Sequence, residues 1–224
     1  MAFGLSIITC DRRPLGKCNY LAVTWASLIQ ANVLSLGQQH ICLFDAGPGA
    51  DWAAAARQLT GCQVLEGPMA LRLSAAQNAH RALEWHATRD TFGMFMEDDV
   101  EVRSDLLPIL ADGCQRVSPP AGAIVFGANY SWTALPENSR CTWAPYAATE
   151  FYGTWAMVLR PDTCAAYLQS KERAGADAGL TPFDLAFGAW CQRTRTAIVA
   201  HCPNLARHVG LQSIAGDDHP PMAW

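Results

Sequence analysis

Apolar positions in the first hundred residues switch between strand-like and helix-like spacing. Residues 5–9 form a short apolar run that stops at a polar turn over 10–14. Leu21, Trp25, Leu28 and Ile29 then recur at helical spacing and predict a helix over about 20–31. A β-type run at 41–44 stops at Asp45-Ala46-Gly47-Pro48. Asp51 can cap an alanine-rich helix to about 59, and 63–65 reads as a brief third strand. Ser74 and Gln77 have capping-box spacing and open a helix to about 86. Residues 92–96 are apolar and end in Glu97-Asp98-Asp99. This rhythm predicts an α/β fold, with a Rossmann-type, mostly parallel central sheet flanked by helices.

The second half is less regular. Ser104 can cap a helix to about 117, Pro119-Pro120 breaks it, and 123–126 reads as a strand. Residues 129–152 show no clear period but carry six aromatic side chains, so they read as a long aromatic loop. A strand at 154–159, a helix from Pro161 to about 170, a helix over about 181–193 and a strand at 197–200 follow. A loop-like tail closes the chain. No repeat or linker divides the 224 residues, so one domain is expected.

Composition narrows the function classes. Half of the residues are apolar and 16% are charged, which gives ample core and excludes a disordered chain. The formal net charge of -4 provides no general basic field for nucleic acid. Residues 18–44 hold no charged side chain, but Gln30, Asn32, Gln38, Gln39 and His40 interrupt them. An amphipathic helix followed by a strand fits better than a bilayer span. The nine cysteines are scattered without a CxxC pair. With no signal-peptide pattern at the start, they predict a reduced, cytoplasmic protein.

Glu97-Asp98-Asp99 is the sharpest chemical signal. Three carboxylates after a buried strand repel one another unless a cation joins them, and hard ions such as Mn²⁺ or Mg²⁺ take oxygen ligands. In α/β sheets, ligands bind beyond the carboxyl ends of the strands, where this triplet falls. The competing reading is a solvated acidic turn.

Residues 92–100, Phe-Gly-Met-Phe-Met-Glu-Asp-Asp-Val, resemble the strand and acidic motif of nucleotide-sugar-dependent glycosyltransferases of the GT-A fold. The Glu-Asp-Asp form of the DxD motif is similar to that of some N-acetylglucosaminyltransferases. The strand 5–9 with Asp11-Arg12-Arg13 and the helix carrying Asn78 fit in the expected order. So do strand 153–159 with Arg160-Pro161, the helix start Pro182-Phe183-Asp184, and the segment 205–210.

The resemblance implies a GT-A-like catalytic domain. Residues 1–100 would form its nucleotide-binding half and 101–224 its acceptor-binding half. Asp99 would be the direct metal ligand and His208 the second. Glu97 would face the ribose or a metal-bound water, and Asp98 the donor sugar. Thr9, Asp11, Arg12 and Asp45 would recognise the nucleotide, although each could instead serve ordinary turn chemistry. Asn78 and Arg81, three apart on one helix face, would reach its ribose or phosphate, although that helix could equally be a packing element with polar ends. Asp184 would be the general base of an inverting transfer, although a carboxylate on a first helical turn also serves the helix dipole. Trp132, Trp143, Glu150 and Tyr152 would contact the acceptor. The partner is then a nucleotide-diphosphate sugar. The acceptor stays open among glycan, protein, lipid-linked sugar, small molecule and modified DNA base.

Two other functions fit less well. A nucleotidyltransferase would usually carry a Gly-rich, Lys-containing phosphate loop after the first strand, and 11–17 is a poor version of one. A non-catalytic sugar- or partner-binding module could keep the fold without turnover. A zinc site from Cys191, His201, Cys202 and His208 matches no common spacing.

Overall fold

The computed structural model describes residues 2–13, 16, 19–47, 50–68, 72–116, 121–128, 142–151 and 154–210. Its first half follows the predicted alternation: β1 (Phe3–Thr9), α1 (Leu21–Gln30), β2 (Ile41–Asp45), α2 (Ala50–Thr60), β3 (Gln63–Leu65), α3 (Ala75–Ala87) and β4 (Phe92–Glu97). The second half has β5 (Val100–Val102), α4 (Leu106–Arg116), β6 (Ala121–Ala128), β7 (Thr142–Tyr146), β8 (Thr154–Leu159), α5 (Pro161–Leu168), α6 (Lys171–Asp177), α7 (Phe183–Thr194), β9 (Ala197–Cys202) and β10 (Ala206–His208).

Eight strands form one sheet in the order β3-β2-β1-β4-β8-β6-β9-β7, and β5 pairs with β10 in a separate ribbon. β1 runs parallel to β2 and β4, β2 to β3, and β6 to β9, whereas β8 and β7 pair antiparallel to their neighbours. This is the mostly parallel sheet that the hydrophobic pattern predicts.

Both faces of the sheet are apolar because both are covered by helices. Alternate side chains serve different cores. Leu5, Ile7, Met94 and Met96 pack with Leu21, Trp25 and Leu28 of α1 and with Leu106 and Leu110 of α4. Ile8, Phe44 and Phe95 pack with Ala79 and Leu83 of α3, Tyr167 of α5, and Phe183 and Phe187 of α7. Each fully buried large side chain contributes about 1.5–3 kcal/mol.

Buried polar groups join the layers. His86 of α3 lies against Ser6 of β1, with Nε2 2.8 Å from Oγ. A Cβ on Gly93 would come within 2.4 Å of the His86 ring, so only glycine lets β4 pass beneath it. His80 links Asp177 (2.6 Å) and the Tyr167 hydroxyl (3.1 Å), tying α3 to α5 and the end of α6.

Several elements depart from expectation, β5 among them. The aromatic stretch contains β7, an edge strand, and a 3₁₀ turn at Ala148–Glu150, where a long loop was expected. Pro145 within β7 has no N–H to give a ladder, which an edge position tolerates. The tail contains β10, and α6 follows the helix that was expected to end at Ser170. No helix among the described residues is long and apolar enough to cross a membrane. Seven described cysteines are free thiols, and all but Cys202 are buried. Burial pushes the Cys42 thiol up to about 11 and those of Cys114 and Cys164 up to about 12.

Candidate active site

The parallel register brings the acidic motif to a shared edge. Thr9 stands opposite Asp45, and Ile8 opposite Glu97, so the carboxyl ends of β1, β2 and β4 lie side by side. After Glu97 the chain turns through Asp98-Asp99 into β5. Two hydroxyls of α1 fix that turn. Thr24 Oγ1 donates to the Asp98 carbonyl (2.7 Å) and accepts from Val100 N (3.1 Å). Ser27 Oγ accepts from Val102 N at 3.1 Å.

β10 pairs antiparallel with β5, His208 opposite Val100, and so delivers His208 to the turn. Beyond it, Val209 N donates to the Asp99 carbonyl at 2.8 Å. His208 Nε2 lies 3.1 Å from Asp99 Oδ2, and Trp155 flanks its ring at 5.5 Å. Gly210 allows this closeness: a Cβ there would stand 2.5 Å from Asp99 Oδ2 and 2.9 Å from His208 Cε1.

The three acidic residues have different surroundings. Asp98 is 2% exposed. Its carboxylate accepts from Thr9 Oγ1 (2.6 Å) and Arg12 Nη2 (2.7 Å). Burial raises its pKa to about 6 against the pull of Arg12. Burial would also raise Asp99, but the His208 imidazole and the Arg12 guanidinium overcome it and hold that carboxyl below its usual range. Glu97 is pushed well up by burial, by the charges of Asp99 and Asp98, and, more weakly, by Asp184.

Ligand atoms of Glu97, Asp99 and His208 all lie within 4.8 Å of one another, and no other such group occurs among the described residues. Atoms bound to one ion at about 2.0–2.1 Å stand roughly 3–4 Å apart, so this set is close to the spacing an ion needs. Asp99 Oδ1 is also buried without a hydrogen-bond partner. Two carboxylates and an imidazole therefore fit Mn²⁺ or Mg²⁺. Glu97 stands within the donor set, beside the position expected to face the ribose or a metal-bound water. Cys191, His201 and Cys202 are not part of the set, and His201 Nδ1 is 2.7 Å from the Pro203 carbonyl, so the zinc reading fails.

Several expected nucleotide contacts have other tasks here. Thr9 is buried and committed to Asp98, with Trp52 Nε1 donating to its hydroxyl at 3.3 Å. Arg12 was expected to meet the nucleotide. Instead its Nη2 contacts Asp98 and Asp99, at 2.7 and 3.0 Å, inside the protein. Asn78 is 2% exposed and spends its amide on the carbonyls of Phe44 (2.7 Å) and Thr9 (3.4 Å). Arg81 donates to the carbonyls of Asp45, Leu65 and Glu66, so it fastens the ends of β2 and β3. The Asp45 carboxyl is buried and raised by that burial, while the Gly47 N–H opposes the shift. Asp11 binds the half-exposed Arg13, which holds it below its usual range.

On the acceptor side, Asp184 lies in the first turn of α7, where its Oδ1 accepts from Leu185 N at 2.9 Å. Its charge registers at Glu97, which puts it in the electrostatic reach of the motif. Trp143 was expected in an acceptor loop. It belongs to β7 and packs edge-to-face on His201 at 4.7 Å and over Gly113 of α4. Glu150 ends the 3₁₀ turn, and Trp132 and Tyr152 lie outside the described residues.

A shallow cavity of ≈ 670 Å³ lies by the amino-terminal ends of β6 and β9, lined in part by Arg160, Thr163, Trp190 and Arg193. It is a poorer candidate, because Arg160 is already paired with Asp162 and Arg193 with Glu172. Thr24 and Ser27 were not anticipated, and Gly210 was noted only as part of the segment 205–210. Two hydroxyls three apart on the apolar side of a helix were the available signal for the first two.

No family model and no curated protein sequence matches the chain. The fold, however, is shared with solved structures. A glucose-1-phosphate thymidylyltransferase-type protein from Bacillus anthracis superposes with TM-score 0.58 at 10% identity, over 92% of this chain and 89% of that one. A nucleotide-diphospho-sugar transferase-type protein from Desulfovibrio desulfuricans gives 0.52 at 10% identity, over 89% and 80%. S. aureus TarS 1–349 bound to UDP-GlcNAc gives 0.54 at 11% identity, over 89% and 56%. The architecture is thus one found among nucleotide-sugar-handling proteins.

Proposed function

We propose that the chain is a divalent-metal-dependent glycosyltransferase that moves a sugar from a nucleotide-diphosphate donor to an acceptor hydroxyl. The observation that carries this reading is the convergence of Glu97, Asp99 and His208, from two separate elements, at the carboxyl edge of the sheet. The shared architecture supports a nucleotide-sugar donor.

Glu97, Asp99 and His208 would hold Mn²⁺ or Mg²⁺. Such an ion supplies positive charge against the departing nucleoside diphosphate. The protein's own part is to hold these groups in place. Thr9 and Arg12 fix Asp98, Thr24 fixes the turn, and Gly210 leaves Asp99 and His208 close together. Asp184 would accept the proton of the attacking hydroxyl, a contribution of about 10²–10⁴ in rate.

The test pairs binding with product analysis. Nucleoside diphosphates should raise the melting temperature more with Mn²⁺ than in chelator, since a ligand held only by the native state stabilises it. A nucleotide sugar should yield free nucleoside diphosphate, and Asp99→Asn should abolish that release while the circular dichroism spectrum is kept. Pyrophosphate from a nucleoside triphosphate would establish nucleotidyl transfer instead. Full turnover in chelator would remove the metal, and no donor turnover under any condition would leave a binding module.

A further inference from the structure

Arg12 stands where a cation is needed. It is 5% exposed, and one nitrogen, Nη2, reaches both Asp98 Oδ1 (2.7 Å) and Asp99 Oδ2 (3.0 Å). A guanidinium gripping one carboxylate would normally use two nitrogens in a parallel fork. Here one nitrogen, with two N–H bonds to give, serves two carboxylates, while Nε and Nη1 are buried without hydrogen-bond partners. That geometry suits charge compensation better than tight recognition.

Asp99 is held asymmetrically. Its Oδ2 takes both Arg12 and His208, and its Oδ1 is buried with no partner. Asp98 makes the shorter contact with Arg12 and takes Thr9 on its other oxygen. An arriving ion therefore meets one carboxylate with both oxygens engaged and one with a single oxygen engaged.

We propose that Arg12 is a resident counter-cation of the acidic motif. It compensates Asp98 and Asp99 while no divalent ion is bound, keeps Asp98 throughout, and yields Asp99 to the ion. This rests on the reading that Glu97, Asp99 and His208 take such an ion. Arg12 then has two opposed effects. It lets the turn fold without metal, because removing one partner from a buried charge cluster is strongly destabilising. It also weakens metal binding, because a fixed positive charge opposes an incoming one. Even with water's screening, a unit charge about 5 Å from a doubly charged ion changes affinity on the order of tenfold.

The experiment compares wild type, Arg12→Gln and Arg12→Lys. Thermal melts are run in chelator and in Mn²⁺ alone, and Mn²⁺ affinity is read from the spin-resonance signal of the free ion. In chelator, Arg12→Gln should melt several degrees below wild type and Arg12→Lys close to it. Mn²⁺ should raise the Gln variant much more than wild type, and Arg12→Gln should bind Mn²⁺ about tenfold more tightly.

Equal melting of Arg12→Gln and wild type in chelator would overturn the proposal. Mn²⁺ affinity unchanged or weakened in Arg12→Gln would do the same, and would make Arg12 a residue that orients Asp99. A Gln variant that stays unfolded even when prepared in Mn²⁺ would also overturn it, since the ion should replace the lost charge. Mn²⁺ bound by none of the three proteins would remove the metal site itself, and the exchange with it.

Discussion

At Gly210 a single added methyl group tests the site. Its Cβ would press to 2.5 Å from Asp99 Oδ2, so Gly210→Ala must displace Asp99, His208 or the strand that carries them. Overpacking of this kind costs about 1–3 kcal/mol, which the fold should survive. Mn²⁺ affinity should fall at least about tenfold, as it does when the surroundings of metal ligands are disturbed. Mn²⁺ titration beside a circular dichroism melt checks this, and unchanged affinity would show that Asp99 and His208 have room to spare. Residue identity made only part of the site legible. Glu97, Asp98 and Asp99 stood out because adjacent carboxylates are costly anywhere. For Arg12, Asn78 and Arg81 the sequence left two roles open, because it does not say whether a polar side chain faces the protein or the ligand. All three turn inward, onto carboxylates or strand-end carbonyls. Thr24 and Ser27 read as ordinary helix residues, although their hydroxyls splice the acidic turn to α1.

Among the elements, most were readable, down to the three-residue β3 bounded by turn signals, but β5, β7, β10 and α6 were not. β5 and β10 have three residues each, too few to show alternation, yet their pairing carries His208 to Asp99. β7 was hidden because Pro145 and a run of aromatics resemble a loop, and only its edge position makes them compatible with a strand. α7 was legible from Thr181-Pro182, and it yields the second mutational test. Pro182 caps α7 without a side-chain bond, and the Asp184 contact to Leu185 N is one that an asparagine oxygen can keep. Asp184→Asn should therefore fold and bind donor nearly as wild type does. Its kcat should fall about 10²–10⁴-fold if the carboxylate takes the acceptor proton, and the product should have an inverted anomeric centre. Steady-state kinetics with separate kcat and KM, and nuclear magnetic resonance of the product, decide it. An unchanged kcat or a retained anomer would leave Asp184 a residue of the helix start.

The whole molecule depends on one sheet shared by two apolar layers, so a polar group buried between helix and sheet affects global stability. His86 is such a group. It is fully buried against β1 and β4, and burial lowers its pKa to about 3 from an ordinary value near 6.5. The sign follows from which state takes the proton. Below about pH 6.5 the unfolded chain protonates this imidazole and the native protein does not. Its contribution is therefore greatest above pH 6.5 and is lost as pH falls, by about 1.4 kcal/mol per unit until pH approaches 3. His80, also lowered by burial, acts in the same direction. Urea denaturation at pH 7.5 and 5.5 should show wild type losing stability on acidification. His86→Gln, which cannot take up that proton, should be less stable at both pH values because the neighbouring side chains no longer fit as well. Its loss between them should nonetheless be smaller by about 1 kcal/mol, as expected for one group titrating across that interval. The difference between the two pH dependences isolates this imidazole from the carboxylates, which titrate alike in both proteins. Equal losses would mean that His86 is protonated inside the fold, with Ser6 and its neighbours rearranged to hold the charge.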